Sequence, residues 1–523
     1  MSETNRSFQR AVQLTGPDTL LLNENKSVPV PGPHQILARV EVTGLCFSDL
    51  KLLKQFDGHG RKSEVVTVLD KSTLEEIPSY VPGTKPAVPG HETVVRIMEV
   101  GESVRSVKPG DRCLVQTDYR WLKTADSNAA FGYNFEGALQ EFVLMDERVI
   151  TSPEGESMLI PASDELSASA VALVEPWACV EDSYVVSERQ SQLSDGRSLT
   201  VDCSSFDISD LDDIPDESKD DIVFLGADAD LLERVFPKLA KNGLINIVQR
   251  GGGFGRPVTT PVGRVHYGGV RITGTTGNDP DKGYAAIPPN GEIRAGDVIN
   301  VVGAAGPMGT MHVIRNLCQG VPEITVYGGD MSDERLAQLS RLAQPLAAVN
   351  GVTYNSYNAG TEPREGPFNY TALMVPAPSL VAEAVDKSAP HAIINIFAGI
   401  PYHVTHPVDL DKYIELGAYF IGTSGSTIDD MRIVLRKVTE GHLDTNLSVA
   451  AVSGLDGAVE GIRAVENQAI PGKILVYPSC KGLELTRLSE LALKYPEVAG
   501  HLNDGAWTRE AEQALLAQFG GDV

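Results

Sequence analysis

Cysteine is scarce in this chain, and the few cysteines show no paired spacing. Six of them are scattered through 523 residues. Disulfide frameworks belong to oxidising compartments and to domains with dense, regularly spaced cysteines. This pattern therefore argues against a disulfide framework and predicts a reduced, cytoplasmic setting.

Long apolar runs and an excess of positive charge are missing as well. No run approaches the ~20 apolar residues that span a bilayer, and the N-terminal MSETNRSFQR lacks the apolar core of a signal peptide. Lysine and arginine number 44 against 70 acidic residues, which gives a formal net charge of −26. This charge argues against nucleic acid and anionic membrane as partners.

The composition that is present is that of a globular protein, with 42% hydrophobic and 22% charged residues. The length exceeds one ordinary hydrophobic core, so we expect two or three domains. Short β-rich segments with Gly and Pro-Gly turn signals fill residues 8–45 and 86–115, which predicts a small β-barrel. Residues 167–187 are predicted to be helical.

A glycine-rich stretch, VINVVGAAGPMGTMHVIRNLCQGVPEITVYGGD, has the layout of a nucleotide-binding strand–helix–strand unit. An apolar strand leads into Gly303, Gly306 and Gly309, a helix follows, and a second β-rich run ends on Asp330. Such glycines let backbone N–H groups approach a pyrophosphate, and the acid can bind ribose hydroxyls. Ala304 departs from the pattern, because it stands where the first glycine belongs. A tight turn without any cofactor is the alternative.

One segment of the chain occurs twice. LINIVQRGGG (244–253) resembles IINIFAGIPY (393–402), and VHYGGVRITGTTG (265–277) resembles YIELGAYFIGTSG (413–425). Each copy has the pattern strand–helix–strand–loop–strand, the second half of a doubly wound sheet. We interpret the first copy as a scaffold element that extends the sheet or makes an oligomer contact. The acidic run before it, residues 207–221, is predicted to be a solvated linker.

Four residues suggest a metal site: Cys46, His91, Glu92 and Glu175. A thiolate, an imidazole and carboxylates are suitable ligands for zinc. Adjacent residues of a strand point to opposite faces, so His91 and Glu92 can act together only with a loop or bulge between them. From composition and spacing alone, a buried cysteine, a strand-end histidine and two unrelated carboxylates are the simpler interpretation.

These residues lie in motifs that resemble the zinc-dependent medium-chain dehydrogenase/reductase family, which includes alcohol, threonine and sorbitol dehydrogenases. The motifs follow the family's order: GLCFSD around Cys46, PGHE at 89–92, VGESVRSVKPGDR at 100–112, EPWAC at 175–179, and the glycine stretch. Further segments, GAAGPMGTMHV, FAGIP, GTSGSTIDDMR, GHLDTN and PGKILVYP, resemble sorbose-1-phosphate reductase-type members.

The resemblance implies an α/β fold with two principal domains. A GroES-like β-barrel catalytic domain is expected at residues 1–189, completed by a returning strand near 471–480. A Rossmann doubly wound parallel sheet that binds NAD(P) is expected at 293–470. The inserted half-Rossmann-like repeat takes residues 190–292, and a helical tail takes 481–523.

The resemblance also assigns site residues. Those expected to hold the catalytic zinc or its water are Cys46, His91, Glu92 and Glu175. Those expected to act in catalysis are Ser48, as proton relay beside the substrate oxygen, Asp49, which orients a ligand or supports its loop, and Glu175. Those expected to bind the dinucleotide are Gly303, Ala305, Gly306, Pro307, Met308, Gly309 and Asp330.

Three positions refine these expectations. Only Cys113 lies in the 110–140 region where many relatives hold a structural zinc with four cysteines, so we expect one zinc per chain. Asp330 favours NAD over NADP, because its carboxylate repels a 2′-phosphate. Lys51 stands where relatives often carry a relay histidine.

The expected activity is a zinc-dependent transfer of hydride between NAD(P)(H) and a secondary alcohol or ketone of a sugar or polyol, in a homodimer or homotetramer. A ketose phosphate is a more specific candidate, since basic residues cluster in an otherwise acidic chain at Lys51, Lys54, Arg61 and Lys62. Two alternatives stay open. One is a zinc-free NAD(P)H reductase of the same fold, and the other is a non-catalytic nucleotide-binding sensor or structural protein.

Overall fold

The computed structural model describes residues 7–520, which form two compact units. The first unit combines the chain up to Ala178 with the chain from Thr427 onward. The second unit is Cys179–Ser426.

The N-terminal part of the first unit is mostly β-structure. Its strands are β1 (Phe8–Gly16), β2 (Thr19–Ser27), β3 (Gln35–Gly44), β4 (Glu92–Val100), β5 (Arg112–Val115), β6 (Asp118–Lys123), β7 (Asn128–Ala130), β8 (Phe142–Asp146) and β9 (Leu159–Pro161). Its helices are α1 (Phe47–Gln55), α2 (Lys71–Glu75), α3 (Glu147–Ile150), α4 (Ala168–Ala172) and the start of α5 (Val174–Val185), with 3-10 turns at Phe56–Gly58 and Gly60–Lys62.

The second unit alternates strands and helices. Its strands are β10 (Ser198–Asp202), β11 (Lys219–Leu225), β12 (Leu239–Val248), β13 (Val258–Thr260), β14 (Arg271–Thr275), β15 (Val298–Val302), β16 (Thr325–Asp330), β17 (Thr353–Asn358), β18 (Phe368–Leu373), β19 (Ser388–Ile396), β20 (His406–Val408) and β21 (Tyr419–Ile421). Its helices are α6 (Ala229–Val235), α7 (Gly263–Gly268), α8 (Pro280–Ala285), α9 (Pro307–Cys318), α10 (Asp333–Asn350), α11 (Pro378–Asp386) and α12 (Leu410–Glu415), with 3-10 helices at Ile208–Asp213 and Phe236–Lys238.

The C-terminal part returns to the first unit. Its helices are α13 (Ile428–Thr439), α14 (Leu455–Glu466), α15 (Leu488–Lys494), α16 (Pro496–Ala499) and α17 (Arg509–Phe519), with a 3-10 helix at Thr445–Ser448. Its strands are β22 (Val449–Ser453), β23 (Lys473–Val476) and β24 (Thr486–Arg487).

The main sheet of the first unit joins the two ends of the chain. Its order is β24-β22-β23-β3-β4-β5-β9, and β8 also pairs with β3. Strand β23 returns to this sheet and pairs antiparallel with the end of β3, Leu475 opposite Gly44. Strands β3 and β4 run antiparallel, so the start of β4 lies beside the end of β3. The predicted metal ligands lie at this place, with Cys46 just after β3, and His91 and Glu92 at the start of β4.

The second unit contains two parallel sheets. The larger has the order β17-β16-β15-β18-β19-β21, and β15 pairs in parallel with β16 on one side and β18 on the other. Strand order reverses at β15, which is the switch point where doubly wound sheets bind nucleotides at the carboxyl ends of their strands. The smaller sheet, β10-β11-β12-β14, is the inserted copy. The predicted Rossmann sheet and inserted half-Rossmann repeat are both confirmed.

The structural division differs from the expected domain boundaries at the C-terminal side. Residues 427–470 were expected in the Rossmann domain, but they belong to the first unit because β22 and β24 extend its sheet. The tail that follows belongs there too.

Among the described residues, no helix combines the length and the apolar character needed to cross a membrane.

The acidic run at 207–221 is exposed over much of its length, as predicted, but it is not a linker, because it forms a 3-10 helix and enters β11. Leu211 lies in a 3-10 helix and is buried in the hydrophobic core of the second unit. Asp221 lies in β11 and is buried, and its carboxylate accepts a hydrogen bond from Arg189. Among the many carboxylates of this run, Leu211 and Asp221 are fixed by tertiary contacts that the composition does not indicate.

A buried carboxylate in the C-terminal tail holds an early helix in place. Glu512, on α17, accepts hydrogen bonds from the backbone N–H groups of Ala168 and Ser169 at 2.6 and 2.8 Å, and from the Tyr477 hydroxyl at 2.9 Å. We predict that Glu512→Ala lowers the free energy of unfolding by about 3 kcal/mol, because it leaves buried donors unsatisfied. Chemical denaturation measures this change. Glu510→Ala, at an exposed position of α17, is the control, and an equal loss from both variants would contradict the assignment.

Candidate active site

Three of the four predicted metal ligands converge at the ends of β3 and β4. The donor atoms of Cys46, His91 and Glu92 all lie within 4.8 Å of one another. Cys46 is the N-cap residue of α1, directly after β3, while His91 precedes β4 and Glu92 is its first residue. The strand therefore begins between His91 and Glu92, so the two adjacent side chains do not alternate across a sheet and can share one recess.

Asp49 positions the histidine. Its carboxylate lies 3.1 Å from His91 Nδ1 and accepts hydrogen bonds from the backbone N–H groups of Cys46 and Gly90. Burial opposes the charged form of both side chains, but their mutual attraction outweighs it. The pKa of Asp49 is lowered and the pKa of His91 is raised well above its ordinary value. Hydrogen bonding at Nδ1 fixes the imidazole ring and leaves Nε2 as the nitrogen that can bind a metal ion.

Glu92 is a fully buried carboxylate with only one oxygen satisfied. Its Oε1 accepts from Lys473 Nζ, on the returning strand β23, and its Oε2 has no hydrogen-bond partner. Gly44 leaves the space for this side chain, since a Cβ there would lie 2.2 Å from Oε2. An unsatisfied carboxylate oxygen beside a thiol and an imidazole suits a divalent cation with mixed S, N and O ligands.

Glu175 lies close to this cluster but not in it. It stands in the first turn of α5, and its donor atoms are not among those gathered within 4.8 Å. Burial raises its pKa to about 7, which His91 opposes and the negative charge of Glu92 reinforces. The side chain still reaches solvent in part, as expected at the edge of a recess. Its assignment as a ligand stays a prediction.

A polar wall lies beside the ligand cluster. The Ser48 hydroxyl lies 3.0 Å from His91 Nε2 and also hydrogen-bonds Tyr133. The Tyr133 ring packs against His91 and His59, with ring centroids 5.9 and 5.1 Å apart. Arg61 lies over the same ring, 5.5 Å from its centroid. Ser48, Tyr133 and Arg61 thus form a continuous polar surface next to the potential metal ligands.

The predicted basic cluster does not exist as one group. Lys62 is fully buried and donates to the carbonyl oxygens of Val81 and Lys85. Lys54 forms ion pairs elsewhere on the surface of the unit, with Asp18 and Glu466.

The other two basic residues act at the polar wall. Burial, with the charges of Arg61 and Lys51, lowers the pKa of His59 to about 4, so both charges lie near that ring. The Arg61 guanidinium is held by two hydrogen bonds to Asp118. At neutral pH the Arg61 charge is therefore paired with the Asp118 carboxylate, and His59 is neutral.

The glycine turn of the second unit joins β15 to α9. Gly303 has a φ of +81°, Gly306 is the N-cap residue of α9, and Pro307 and Met308 are its first two residues. The left-handed conformation falls at Gly303, which explains why a side chain is tolerated at Ala304. Gly309 is required for close approach, since a Cβ there would lie 2.2 Å from the Gly303 carbonyl oxygen.

Asp330 is fixed at the carboxyl end of β16 and faces the same turn. Its carboxylate accepts from the backbone N–H of Ala305 at 3.2 Å, and from those of Met331 and Ser332 at 2.8 and 3.2 Å. The structure thus brings the predicted dinucleotide-binding residues together at the carboxyl edge of the Rossmann sheet, where helix N-termini favour phosphate.

Two residues of the ligand recess were missed by sequence reasoning. Lys473 stands in the apolar strand motif PGKILVYP, and a lysine inside such a run is a signal for a buried charge that needs a carboxylate partner. Tyr133 had no comparable signal, because its role depends on a loop between short strands.

Comparisons with known proteins match this architecture. Residues 32–154 match the alcohol dehydrogenase GroES-like domain. The chain is 28% identical over 259 residues to the uncharacterized protein YggP of Escherichia coli (strain K12), covering 44% of this chain and 59% of that protein. It is 32% identical over 154 residues to L-sorbose 1-phosphate reductase of Klebsiella pneumoniae, covering 29% of this chain and 36% of that protein. Both alignments thus span less than two thirds of the relatives' own length.

A solved structure matches nearly the whole fold. 2R,3R-butanediol dehydrogenase from Bacillus subtilis aligns with a TM-score of 0.56 at 16% sequence identity, and the alignment covers 90% of this chain and 99% of that one. At this identity the likeness concerns the fold.

The ligand cluster predicts a metal-binding test. We expect the purified chain to bind about one zinc ion, and Cys46→Ala to lose it, because three converging donors become two. Elemental analysis after dialysis against low zinc measures the metal. Cys318→Ala, a half-buried cysteine at the end of α9, is the matched control and should keep full zinc content. Retention of zinc by Cys46→Ala would contradict the ligand assignment.

At two positions of the glycine turn, replacement of glycine by alanine is predicted to have different effects. Gly309→Ala should lower the melting temperature, because its methyl group meets backbone atoms at 2.2 and 2.7 Å. Gly306→Ala meets only the Gly303 carbonyl oxygen at 3.6 Å, so we expect an unchanged melting temperature but weaker NADH binding where the turn approaches a pyrophosphate. Thermal unfolding and NADH fluorescence measure the two effects. Unchanged NADH affinity in Gly306→Ala would argue against a cofactor at this turn.

Proposed function

We propose that the chain is a member of the medium-chain dehydrogenase/reductase family and a zinc- and NAD(P)-dependent oxidoreductase acting on a secondary alcohol or ketone of a sugar or polyol. The observation that carries the proposal is the cluster of half-buried Cys46 with buried His91 and Glu92, in which one carboxylate oxygen is left unsatisfied. A protein that only binds nucleotide has no need of this arrangement.

The zinc site would be held by Cys46 and His91, with Glu92 or Glu175 completing it. When bound, zinc supplies Lewis acidity that makes an alcohol oxygen easier to deprotonate near neutral pH. The protein supplies the surrounding charges. Asp49 fixes the His91 ring and Lys473 pairs with one Glu92 oxygen, so these buried carboxylates are paired while the second Glu92 oxygen stays available to a cation.

Ser48 is proposed as the residue that moves the substrate proton. Its hydroxyl lies beside the ligand nitrogen of His91 and the ring of Tyr133, so it shares the recess where the substrate oxygen would be held. In oxidation, Ser48 Oγ would accept the substrate O–H proton and release its own hydroxyl proton toward solvent, and the bound cofactor would supply the hydride acceptor; reduction would reverse both transfers. Tyr133 is held neutral, since burial raises its pKa above the ordinary value.

The cofactor would bind at the turn of Gly303, Gly306 and Gly309. Helix α9 begins at this turn, so its free N–H groups can donate hydrogen bonds to a pyrophosphate. We propose NAD as the preferred cofactor, because the fixed Asp330 carboxylate suits ribose hydroxyls and repels a 2′-phosphate. We propose one zinc per chain, because the sequence lacks the four-cysteine group that holds a structural zinc in many relatives.

A ketose phosphate is the proposed substrate subclass. Arg61 presents a guanidinium at the polar wall, oriented by Asp118 and next to the Tyr133 ring that touches the ligand His91. A guanidinium has five N–H donors, so one that is fixed by a carboxylate on one side can still donate to a phosphate from its other N–H groups. The Klebsiella pneumoniae relative is named L-sorbose 1-phosphate reductase, which supports the same subclass.

The proposal is tested by following NADH oxidation with a panel of ketoses and their 1-phosphates, on zinc-loaded and chelator-stripped protein side by side. We expect activity that disappears with the metal and returns when zinc is added. Activity indifferent to zinc would contradict the metal role and leave a zinc-free reductase. NADH binding without turnover on any substrate would instead favour a nucleotide-binding sensor.

Arg61 allows the phosphate to be tested separately. We predict that Arg61→Met raises KM for a ketose 1-phosphate about tenfold or more, because a charge-assisted hydrogen bond contributes roughly 1.5–3 kcal/mol. The KM for the unphosphorylated ketose should change little. Lys54→Met is the control. Lys54 lies close to Arg61 in the sequence but pairs with Asp18 and Glu466, so its loss should leave both KM values unchanged. Equal effects of Arg61→Met on both substrates would contradict phosphate recognition.

A further inference from the structure

The two copies of the internal repeat lie against each other within the second unit. Element by element, β11, α6 and β12 of the inserted copy correspond to β18, α11 and β19. After the loop, β13, α7 and β14 correspond to β20, α12 and β21. Asn246 corresponds to Asn395 in the earlier part, and Gly274 to Gly422 in the later part. The inserted copy thus repeats the half of the Rossmann sheet that it packs against.

The strands β13 and β20 pair with the symmetry of a two-fold axis. They are antiparallel, and Thr259 lies opposite Pro407. Alignment of the copies on Gly274 and Gly422 makes Thr259 and Pro407 equivalent residues, so this pair lies on the axis. The flanking pairs, Val258 with Val408 and Thr260 with His406, exchange when the copies are exchanged. Equivalent elements that meet in this way are the mark of an isologous interface.

The packing around the strand pair is reciprocal too. A Cβ at Gly274 would meet the Ile414 side chain at 3.0 Å, and a Cβ at Gly422 would meet the His266 backbone at 3.0 Å. His266 and Ile414 are themselves equivalent positions. Each glycine therefore makes room for the helix of the other copy, once in each direction.

One continuous hydrophobic core covers both copies. Its fully buried members include equivalent pairs, Ile245 with Ile394 and Ile272 with Phe420. The symmetry is not exact, because Asp411 accepts from Gln249 and from the backbone N–H groups of Phe254 and Gly255. Gly263, the equivalent of Asp411, cannot make these bonds. The inserted copy is therefore fixed in one orientation by contacts that a symmetric partner would not provide.

We propose that the inserted copy is a built-in replacement for a second subunit. We call the surface formed by β20, α12 and β21 the repeat face. Within each chain, residues 198–275 cover the repeat face as the same face of another copy of the chain would in a two-fold dimer. The full-length chain consequently does not associate with itself through this face, and any homo-oligomer uses another surface. Covalent linkage keeps the face covered at any dilution.

Single cysteines near the axis test the proposal on the full-length chain. In a dimer formed through the repeat face, residue 407 would lie opposite residue 407 of the other copy, just as Thr259 lies opposite it here. Antiparallel neighbours are close enough for a disulfide. We expect Thr259→Cys/Pro407→Cys to form an intrachain disulfide at monomer mass on a non-reducing gel. Pro407→Cys alone should form none between chains, with the unsubstituted chain as the control for its own six cysteines.

Interchain disulfides in Pro407→Cys, at a yield like that of the double variant, would overturn the proposal. Absence of the intrachain disulfide in the double variant would also overturn it. These two outcomes are read on otherwise unaltered protein, so they do not depend on a destabilised chain.

A gain of association is expected when the inserted copy is loosened. Val262, fully buried in the shared core, becomes an unpaired buried charge in Val262→Asp. In the Val262→Asp/Pro407→Cys variant, the repeat face opens and we expect disulfide-linked dimers through residue 407, with circular dichroism to show retained secondary structure. A folded variant that stays monomeric and uncrosslinked would overturn the proposal.

Discussion

The buried pair of Glu92 and Lys473 is the interaction on which the recess of the first unit depends. A carboxylate with no exposed surface is costly to keep charged unless it has a partner. Lys473 reaches it from β23, which is contributed by the C-terminal part of the chain and pairs with β3. The same pair leaves the second oxygen of Glu92 unsatisfied and directed at Cys46 and His91. The strand β23 that completes the sheet therefore also supplies the lysine that holds Glu92 in the potential cation site.

The recess and the glycine turn differ in how much of their geometry the chain encodes locally. Gly303, Gly309 and Asp330 act within one strand–helix–strand unit, so their spacing was enough to predict the turn. The predicted arrangement of Cys46, His91 and Glu92 also rested on short motifs at two adjacent strand ends. Whether Glu92 could join His91 was uncertain from the strand period alone, and the late start of β4 answers that question.

Other features needed tertiary information. Tyr133 and Arg61 reach the polar wall through loops and short turns that carry no periodic signal. The four basic residues do not form one cluster, because Lys62 is buried and Lys54 forms ion pairs with acids distant in sequence. The acidic run at 207–221 was interpreted as a linker because its charges outnumber the residues that anchor it to the core, such as Leu211. The repeat was visible in the sequence, but its two-fold packing depends on the opposition of Thr259 and Pro407, which no local pattern contains.

The central claim is that Cys46, His91 and a carboxylate hold a single catalytic zinc, and X-ray absorption spectroscopy of the zinc-loaded protein tests it most directly. The account predicts a coordination shell with one sulfur at about 2.3 Å and nitrogen or oxygen ligands at about 2.0–2.2 Å. Two or more sulfurs, or none, would contradict it, since Cys46 is the one cysteine in the cluster of donors found among the described residues.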